Sequence, residues 1–194
     1  MLRRILNVAI VGLLLVGSVA AARAEDESEA KQPPGVGSKA PAFALNDLEG
    51  KTISLADLLK HGPAVLVVLR GYPGYQCPIC TRQFGELMGK AKKFADAKAT
   101  VVFIYPGPAT DLDKHAKEFV GGKTFPENYR FVIDPDFKFT EAYKLRWNAP
   151  RETAYPSSFV VDDGGMVQFA KVSHSHGNRA SSDELLEALT KLSK

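Results

Sequence analysis

The stretch AVLVVLRGYPGYQCPIC, residues 64–80, carries the strongest fold signal in the chain. Its first six residues are all apolar and rich in β-branched side chains, which is typical of a strand buried on both faces of a parallel sheet. Glycine, proline and polar residues follow and predict a loop. Beyond the loop, apolar side chains recur at helical spacing, so Cys77 and Cys80 are predicted to lie where a helix begins. These helical positions are Phe84, Leu87, Met88, Ala91, Phe94 and Ala95.

Strands and helices alternate on both sides of this stretch. Further strands are predicted over residues 100–105 and 130–133, helices over 110–120 and 137–143, and hairpins over 42–55 and 158–172. A closing helix begins near Ser182-Asp183-Glu184, which we expect to cap it. This order predicts an α/β fold, a central mixed β-sheet with helices on both faces. We expect a single domain over residues 38–194.

The N-terminus has the pattern of an export signal. Arg3 and Arg4 precede an apolar run from Ile5 to Ala22, and Ala22-Arg23-Ala24 offers small residues at a cleavage site. Residues 1–24 are therefore predicted to be a secretory signal peptide, which implies an exported, periplasmic or otherwise extracytoplasmic protein. The alternative is an uncleaved membrane anchor, because the run approaches the roughly 20 residues needed to span a bilayer. Residues 25–37 are acidic and contain proline and glycine, which predicts a flexible linker.

The charge balance excludes one class of partner. The chain has 25 Lys and Arg against 22 Asp and Glu, and the predicted leader removes three arginines and no acid. The mature chain would then carry no net charge, so it lacks the basic surface that nucleic acid binding requires.

Cys77 and Cys80 are the two cysteines of the chain, and their spacing points to redox chemistry. Backbone N–H groups and the helix dipole favour a thiolate at Cys77, at the helix start. Cys80 lies one turn further along the same face, close enough to form a reversible disulfide. Pro78 suits an early helical position, where its missing N–H costs nothing. This chemistry needs no cofactor.

Other charged and metal-binding groups near the pair are expected to be secondary. Arg70 and Arg82 would add positive potential, but we expect both to be solvated surface charges. A zinc site would need two ligands besides the cysteines, and only four histidines are available for it. His174 and His176 alternate at a strand end and form the best metal-binding alternative, although solvated histidines are the usual case. No metal is therefore predicted.

Three segments together resemble the thioredoxin-like superfamily, and within it the alkyl hydroperoxide reductase and thiol-specific antioxidant branch, the redoxins. They are Val36 to Leu45, Ala64 to Pro73, and Tyr155 to Asp162. The resemblance implies a thioredoxin-like fold. It also implies a cis peptide bond before Pro156, in a loop that packs against the disulfide, with Tyr155 beside it at the substrate-binding surface.

The resemblance implies two chemistries. In thiol-disulfide exchange, Cys77 attacks a substrate disulfide and Cys80 releases the mixed disulfide. Peroxidatic members carry Pro-x-x-x-Thr/Ser-x-x-Cys, which here runs from Pro73 to Cys80 with Cys77 in place of the hydroxyl residue. Cys80 would then attack peroxide and Cys77 would resolve it. Those members also place an arginine where this chain has Pro156. The departure favours exchange, although Arg70 or Arg151 could substitute in space.

A third implied chemistry is copper binding by the two cysteines and a downstream histidine, His174 or His176. The copper-binding branch spaces its cysteines one residue wider, so the match is poor. The expected partners are a protein or small-molecule disulfide, or a peroxide, together with a thiol reductant. Pro73, in the active-site loop, is predicted to bind substrate together with Pro156, Tyr155 and Tyr75. Tyr72 also flanks the site and is a further candidate for substrate contact.

Overall fold

The computed structural model describes residues 32–192. A five-stranded mixed sheet forms its centre. The strands are β3 (Ala64–Val68), β4 (Thr100–Gly107), β5 (Tyr129–Pro135), β6 (Ser157–Val161) and β7 (Val167–Val172). Their order across the sheet is β5-β4-β3-β6-β7. β3 is parallel to β4 and antiparallel to β6, and every residue of β3 is buried. The predicted central strand is confirmed, and so is the predicted α/β class.

Helices cover both faces of this sheet. One face packs against α2 (Pro78–Met88), α3 (Ala91–Asp96), α4 (Leu112–Val120) and α6 (Ser182–Leu192). The other packs against α1 (Leu55–Leu59), α5 (Lys138–Ala142) and a small hairpin of β1 (Ala44–Asn46) and β2 (Thr52–Ser54). Because β3 lies between two apolar layers, it needs the uninterrupted apolar sequence that it has.

Two helix boundaries differ from those predicted. The helical pattern after the cysteines suggested one helix reaching Ala95, but the chain forms two, separated at Gly89 and Lys90. Glycine is a poor helix former, and the Gly89 N–H closes α2 on the carbonyl oxygen of Gly85. At the closing helix the cap is Ser181 rather than Ser182. Its hydroxyl accepts from the Glu184 N–H, and the Glu184 carboxylate accepts from the Ser181 N–H, which forms a capping box.

Gly71 joins β3 to the loop that leads to the cysteines, and its conformation suits only glycine. Its φ is +74°, and a Cβ built there would lie 1.8 Å from the carbonyl oxygen of Pro106 in β4. Gly71→Ala is therefore expected to lower the free energy of unfolding by about 2–3 kcal/mol, measured by urea denaturation.

Gly74→Ala is the matched control for this change. Gly74 also has a positive φ, +108°, but a Cβ there would meet nothing within 4 Å. The control variant should have the backbone strain without the clash, so its free energy of unfolding should fall by only about 1 kcal/mol. Equal losses in the two variants would show that the contact with β4 is unimportant.

The predicted signal peptide, and all but the last six residues of the predicted linker, lie outside the described residues. Within residues 32–192, no helix is both long and apolar enough to cross a lipid bilayer.

Candidate active site

Cys77 and Cys80 lie together at the start of α2, as predicted. Cys77 is the N-cap, Pro78 is in the first turn, and the Cys77 sulfur accepts a hydrogen bond from the Cys80 N–H at 3.4 Å. Both cysteines are buried free thiols. The capping position arises because the Cys77 backbone is extended while the next residues are helical, which leaves N–H groups at the helix start directed at its sulfur.

An arginine from the other end of the chain contacts both sulfurs. Arg179 lies between β7 and α6, and its Nη1 is 3.2 Å from the Cys80 Sγ while its Nη2 is 3.7 Å from the Cys77 Sγ. Nη1 also donates to the Gln83 side chain, and Nε donates to the carbonyl oxygen of His176. These hydrogen bonds hold the guanidinium in place, so the site has a positioned positive charge at the sulfurs.

The two sulfurs are driven to opposite protonation states. The Cys80 thiol donates a hydrogen bond to the Cys77 sulfur, and this contact lowers the pKa of Cys77 to about 5. Burial opposes the shift, while the Cys80 N–H and the Arg179 charge reinforce it. Burial raises the pKa of the Cys80 thiol above its ordinary value, and the bond to Cys77 adds to that effect. At neutral pH the pair is therefore a Cys77 thiolate beside a protonated Cys80.

Arg70 is buried, with only 2% of the residue exposed, so the prediction of a solvated surface charge is wrong. Its Nε pairs with Glu152, its Nη1 donates to the Tyr75 hydroxyl at 2.6 Å, and its Nη2 donates to the carbonyl oxygen of Arg151. Burial is tolerated because every nitrogen of the guanidinium has an acceptor. Arg82, by contrast, is exposed as predicted.

The backbone of Arg70 reaches the site as well. Its N–H donates to the Cys80 Sγ at 3.4 Å. Arg70 therefore contacts the Cys80 sulfur through its backbone and contacts Glu152 and Tyr75 through its side chain. Neither Arg70 nor Arg151 supplies the guanidinium that contacts the sulfurs, since Arg179 has that position.

The two histidines proposed as metal ligands lie at an aromatic surface. The His176 ring is 2.9 Å from the second oxygen of Glu152, and it packs against Trp147. The His174 ring meets Tyr155 edge-on, and Tyr155 stacks on Trp147 with ring centroids 4.8 Å apart. Across residues 32–192 no three His, Cys, Asp or Glu side chains are arranged to hold a metal ion. The structure therefore does not bring these histidines into a ligand set with the cysteines.

The predicted cis bond before Pro156 is wrong, because all the peptide bonds described are trans. Pro156 is buried at the start of β6, where its carbonyl oxygen accepts from the Ser173 N–H beside β7. Tyr155 donates its N–H to the carbonyl oxygen of Leu145 just before this point. With a trans bond, the extended chain makes the hydrogen bond to Leu145 at Tyr155 and the hydrogen bond to Ser173 at Pro156.

The loop before Cys77 packs against α4 and is hydrogen-bonded to α4 and β4. The Tyr72 ring stacks on the His115 ring with centroids 3.5 Å apart. The Gln76 amide donates to the carbonyl oxygen of His115 and accepts from the Tyr105 hydroxyl. Of the predicted substrate contacts in this loop, Tyr75 is 44% exposed and Pro73 lines an adjacent cleft.

Two charged groups of the site, Arg179 and Glu152, were missed by sequence reasoning. Arg179 follows a predicted strand in a polar loop, and Glu152 stands beside Arg151 without a recognisable motif. Each is roughly half the chain away from its partner in the site, at separations of 99 residues for Arg179 and Cys80 and 82 for Glu152 and Arg70. A single sequence contains no signal that joins such distant residues.

Comparison with known proteins identifies a matching family and proteins of similar sequence. Residues 36–170 match the AhpC/TSA family. Rv2521 of Mycobacterium tuberculosis, named as a peroxiredoxin, is 32% identical over 140 residues, which cover 70% of this chain and 83% of Rv2521. The thiol-disulfide oxidoreductase ResA of Bacillus subtilis is 27% identical over 137 residues, covering 71% of this chain and 67% of ResA.

Solved structures share the fold. The crystal structure of the peroxidoxin BcpB from Mycobacterium tuberculosis superposes with a TM-score of 0.63 at 23% sequence identity. The superposition covers 82% of this chain and 98% of BcpB. This likeness confirms the predicted fold class.

Proposed function

This chain belongs to the AhpC/TSA family and is a thiol-based oxidoreductase or peroxidase, and from this we propose that it is an exported thiol-disulfide oxidoreductase. Its reacting groups are Cys77 and Cys80. The substrates are disulfides of proteins or small molecules, and a thiol reductant returns the pair to the reduced state.

The reaction begins with the Cys77 thiolate. It attacks one sulfur of the substrate disulfide, which breaks the substrate S–S bond, forms a mixed disulfide with Cys77 and expels the other half as a thiolate. The backbone N–H of Cys80 and the guanidinium of Arg179 stabilise the attacking anion before the reaction.

Cys80 completes the reaction. Once Cys77 is in the mixed disulfide, the Cys80 proton passes to the departing thiolate, and the Cys80 thiolate attacks the Cys77 sulfur. The second half of the substrate leaves as a thiolate, which takes a proton from solvent, and the enzyme retains a Cys77–Cys80 disulfide. Two electrons have passed from the enzyme to the substrate, and the same steps in reverse would oxidise a dithiol.

The observation that carries this proposal is the asymmetry of the two sulfurs. Cys77, at the helix end, has its pKa lowered to about 5, whereas burial raises the pKa of Cys80. An attacking thiolate followed by a protonated resolving thiol is the arrangement that exchange requires.

A trapping experiment tests the proposal. Cys80→Ser should accumulate a mixed disulfide between Cys77 and a disulfide-bonded substrate, detected by mass spectrometry, because the resolving sulfur is absent. Cys77→Ser should form none. A mixed disulfide on Cys80 in the Cys77→Ser variant, together with none on Cys77 in the Cys80→Ser variant, would contradict the assignment of the nucleophile.

Peroxide reduction is the second candidate function, and one observation favours it. The Cys80 sulfur receives hydrogen bonds from the Arg70 N–H and from Arg179, a donor set suited to a thiolate at Cys80. Cys80 would then attack peroxide, form a sulfenic acid and release water, and Cys77 would condense with it to the disulfide. Peroxide-dependent sulfenic acid on Cys80 in the Cys77→Ser variant would support this reaction over exchange.

Export is part of the proposal and is supported by the leader pattern of residues 1–24. Mass spectrometry of the N-terminus after expression in a bacterial host tests it. A mature protein beginning at Glu25 in the periplasmic fraction is expected. Full-length protein in the cytoplasmic fraction would contradict it.

A further inference from the structure

A cleft of about 380 Å³ opens beside the loop that leads to Cys77. Tyr72, Pro73, Leu112 and Phe137 supply apolar groups to its lining. Arg146, Arg151 and Glu152 supply charged groups to its lining. This volume lies at the lower end of the range for small-molecule sites and suits a ligand of a few tens of atoms or fewer.

The charges of this cleft favour an anion. Among the described residues, Glu152 is the one carboxylate that lines the cleft, and its two oxygens are taken by Arg70 and His176. Arg146 donates to the backbone carbonyl groups of Trp147, Glu152 and Thr153 and lies over the Phe137 ring. Its charge is therefore held at the cleft, and no carboxylate in the described part of the chain pairs with it. Arg151 is exposed, and in residues 32–192 no acidic side chain forms an ion pair with it.

Two of the lining residues have a strained backbone. Phe137 and Arg151 have φ angles of +63° and +61°, in the left-handed region that side chains with a Cβ rarely occupy. Strain of this kind is concentrated at ligand sites, where it holds side chains in positions that binding requires. At the cleft, the Phe137 ring lies under the Arg146 guanidinium and the Arg151 side chain is exposed.

The cleft is connected to the reacting sulfurs by one residue. The Arg70 N–H contacts the Cys80 sulfur, and the Arg70 side chain reaches Glu152 and the Arg151 carbonyl at the cleft. The Cys80 sulfur and the cleft are therefore separated by the Arg70 residue and by the hydrogen bonds at its two ends. Pro73 and Gly74 line the cleft four and three residues before Cys77, so a small disulfide held there by an anionic end lies beside the loop that leads to the nucleophile.

We propose that this cleft binds the carboxylate of a small-molecule disulfide substrate, with Arg151 as the residue that recognises the charge. The proposal rests on the exchange function above and adds the class of substrate to it. Arg146 supports the same charge from within the cleft wall. The small volume favours a compact disulfide over a protein segment.

Three small probes test the proposal. Dithiodiglycolate carries two carboxylates, and bis(2-hydroxyethyl) disulfide is its neutral counterpart. The rate of each with the reduced protein is divided by its rate with dithiothreitol, which corrects for intrinsic reactivity. Thiodiglycolate is an unreactive thioether with the same carboxylates, and its binding is measured by calorimetry.

The key variant is Arg151→Gln, which removes the charge and retains the backbone carbonyl that Arg70 uses. It should lower the corrected rate with dithiodiglycolate about fivefold to tenfold and leave the neutral disulfide unchanged. Thiodiglycolate binding should weaken by a similar factor. Arg82→Gln is the matched control, because it removes an exposed charge from the α2 surface and should alter none of these values.

Equal losses of the corrected dithiodiglycolate rate in Arg151→Gln and Arg82→Gln would overturn the proposal, because the preference for the charged disulfide would then reflect general electrostatics. No loss in either variant would also overturn it, because Arg151 would then not recognise the carboxylate. A reduced protein that reacts with neither disulfide, and whose Cys80→Ser variant also traps no disulfide-bonded protein, would refute the exchange function instead. In that case thiodiglycolate binding that depends on Arg151 would still support the carboxylate site, and its absence would overturn the site as well.

Discussion

Titration of the reduced protein should show one thiolate forming with a midpoint near pH 5, and the second only well above the ordinary cysteine value. An ordinary cysteine ionises at about pH 8.5. The hydrogen bond from the Cys80 thiol lowers the pKa of Cys77 to about 5, and burial raises that of Cys80. The ultraviolet absorbance of the thiolate measures both steps. Iodoacetamide at about pH 6 should accordingly label Cys77 and spare Cys80.

Variants identify the source of the low midpoint. Cys77→Ser should abolish the first step, which assigns it. Arg179→Met should move the midpoint upward, because the positive charge that favours the Cys77 anion is lost. Arg82→Met removes an exposed charge from the surface of α2 and should leave the midpoint in place. A first step near pH 8.5, the ordinary value, in the unmodified protein would contradict the proposed protonation states.

Replacing Arg70 by Met should lower the free energy of unfolding by about 3–5 kcal/mol, because the change leaves the Glu152 carboxylate without its buried partner. The side chains of Arg70 and Glu152 are only 2% and 10% exposed. Urea denaturation at neutral pH measures the loss. Burial raises the pKa of Glu152, but hydrogen bonds from Arg70 and His176 outweigh it and hold that pKa below its ordinary value. The stabilisation is therefore complete above the unfolded pKa of about 4.3 and is lost as the pH falls through the lower folded value.

A second substitution tests the cause of this loss. Glu152→Gln in the Arg70→Met background removes the unpaired charge and should recover part of the stability. Arg82→Met, at an exposed position, should change stability by no more than about 0.5 kcal/mol. If Arg70→Met were as mild as Arg82→Met, the buried ion pair would not contribute to the fold.

Sequence reasoning succeeded where the signal was local. The apolar run of residues 64–69 predicted the central strand, and the Cys77-Pro78 pair predicted the helix start, because both depend on neighbouring residues alone. It failed for the burial of Arg70 and for the isomer of the peptide bond before Pro156. The expected cis bond came from a family resemblance, whereas the trans bond follows from pairings with Leu145 and Ser173, residues of other segments.

The sequence by itself determined the pair of cysteines one helical turn apart and the strand that delivers them. Both follow from spacing and backbone preference within a few residues. Only the tertiary structure decided which charges meet the sulfurs. Arg179 and Glu152 reach the site from segments 99 and 82 residues away from their partners, Cys80 and Arg70. A charge is buried or exposed according to the partner that folding brings to it, and the neighbouring residues in the sequence do not reveal that partner.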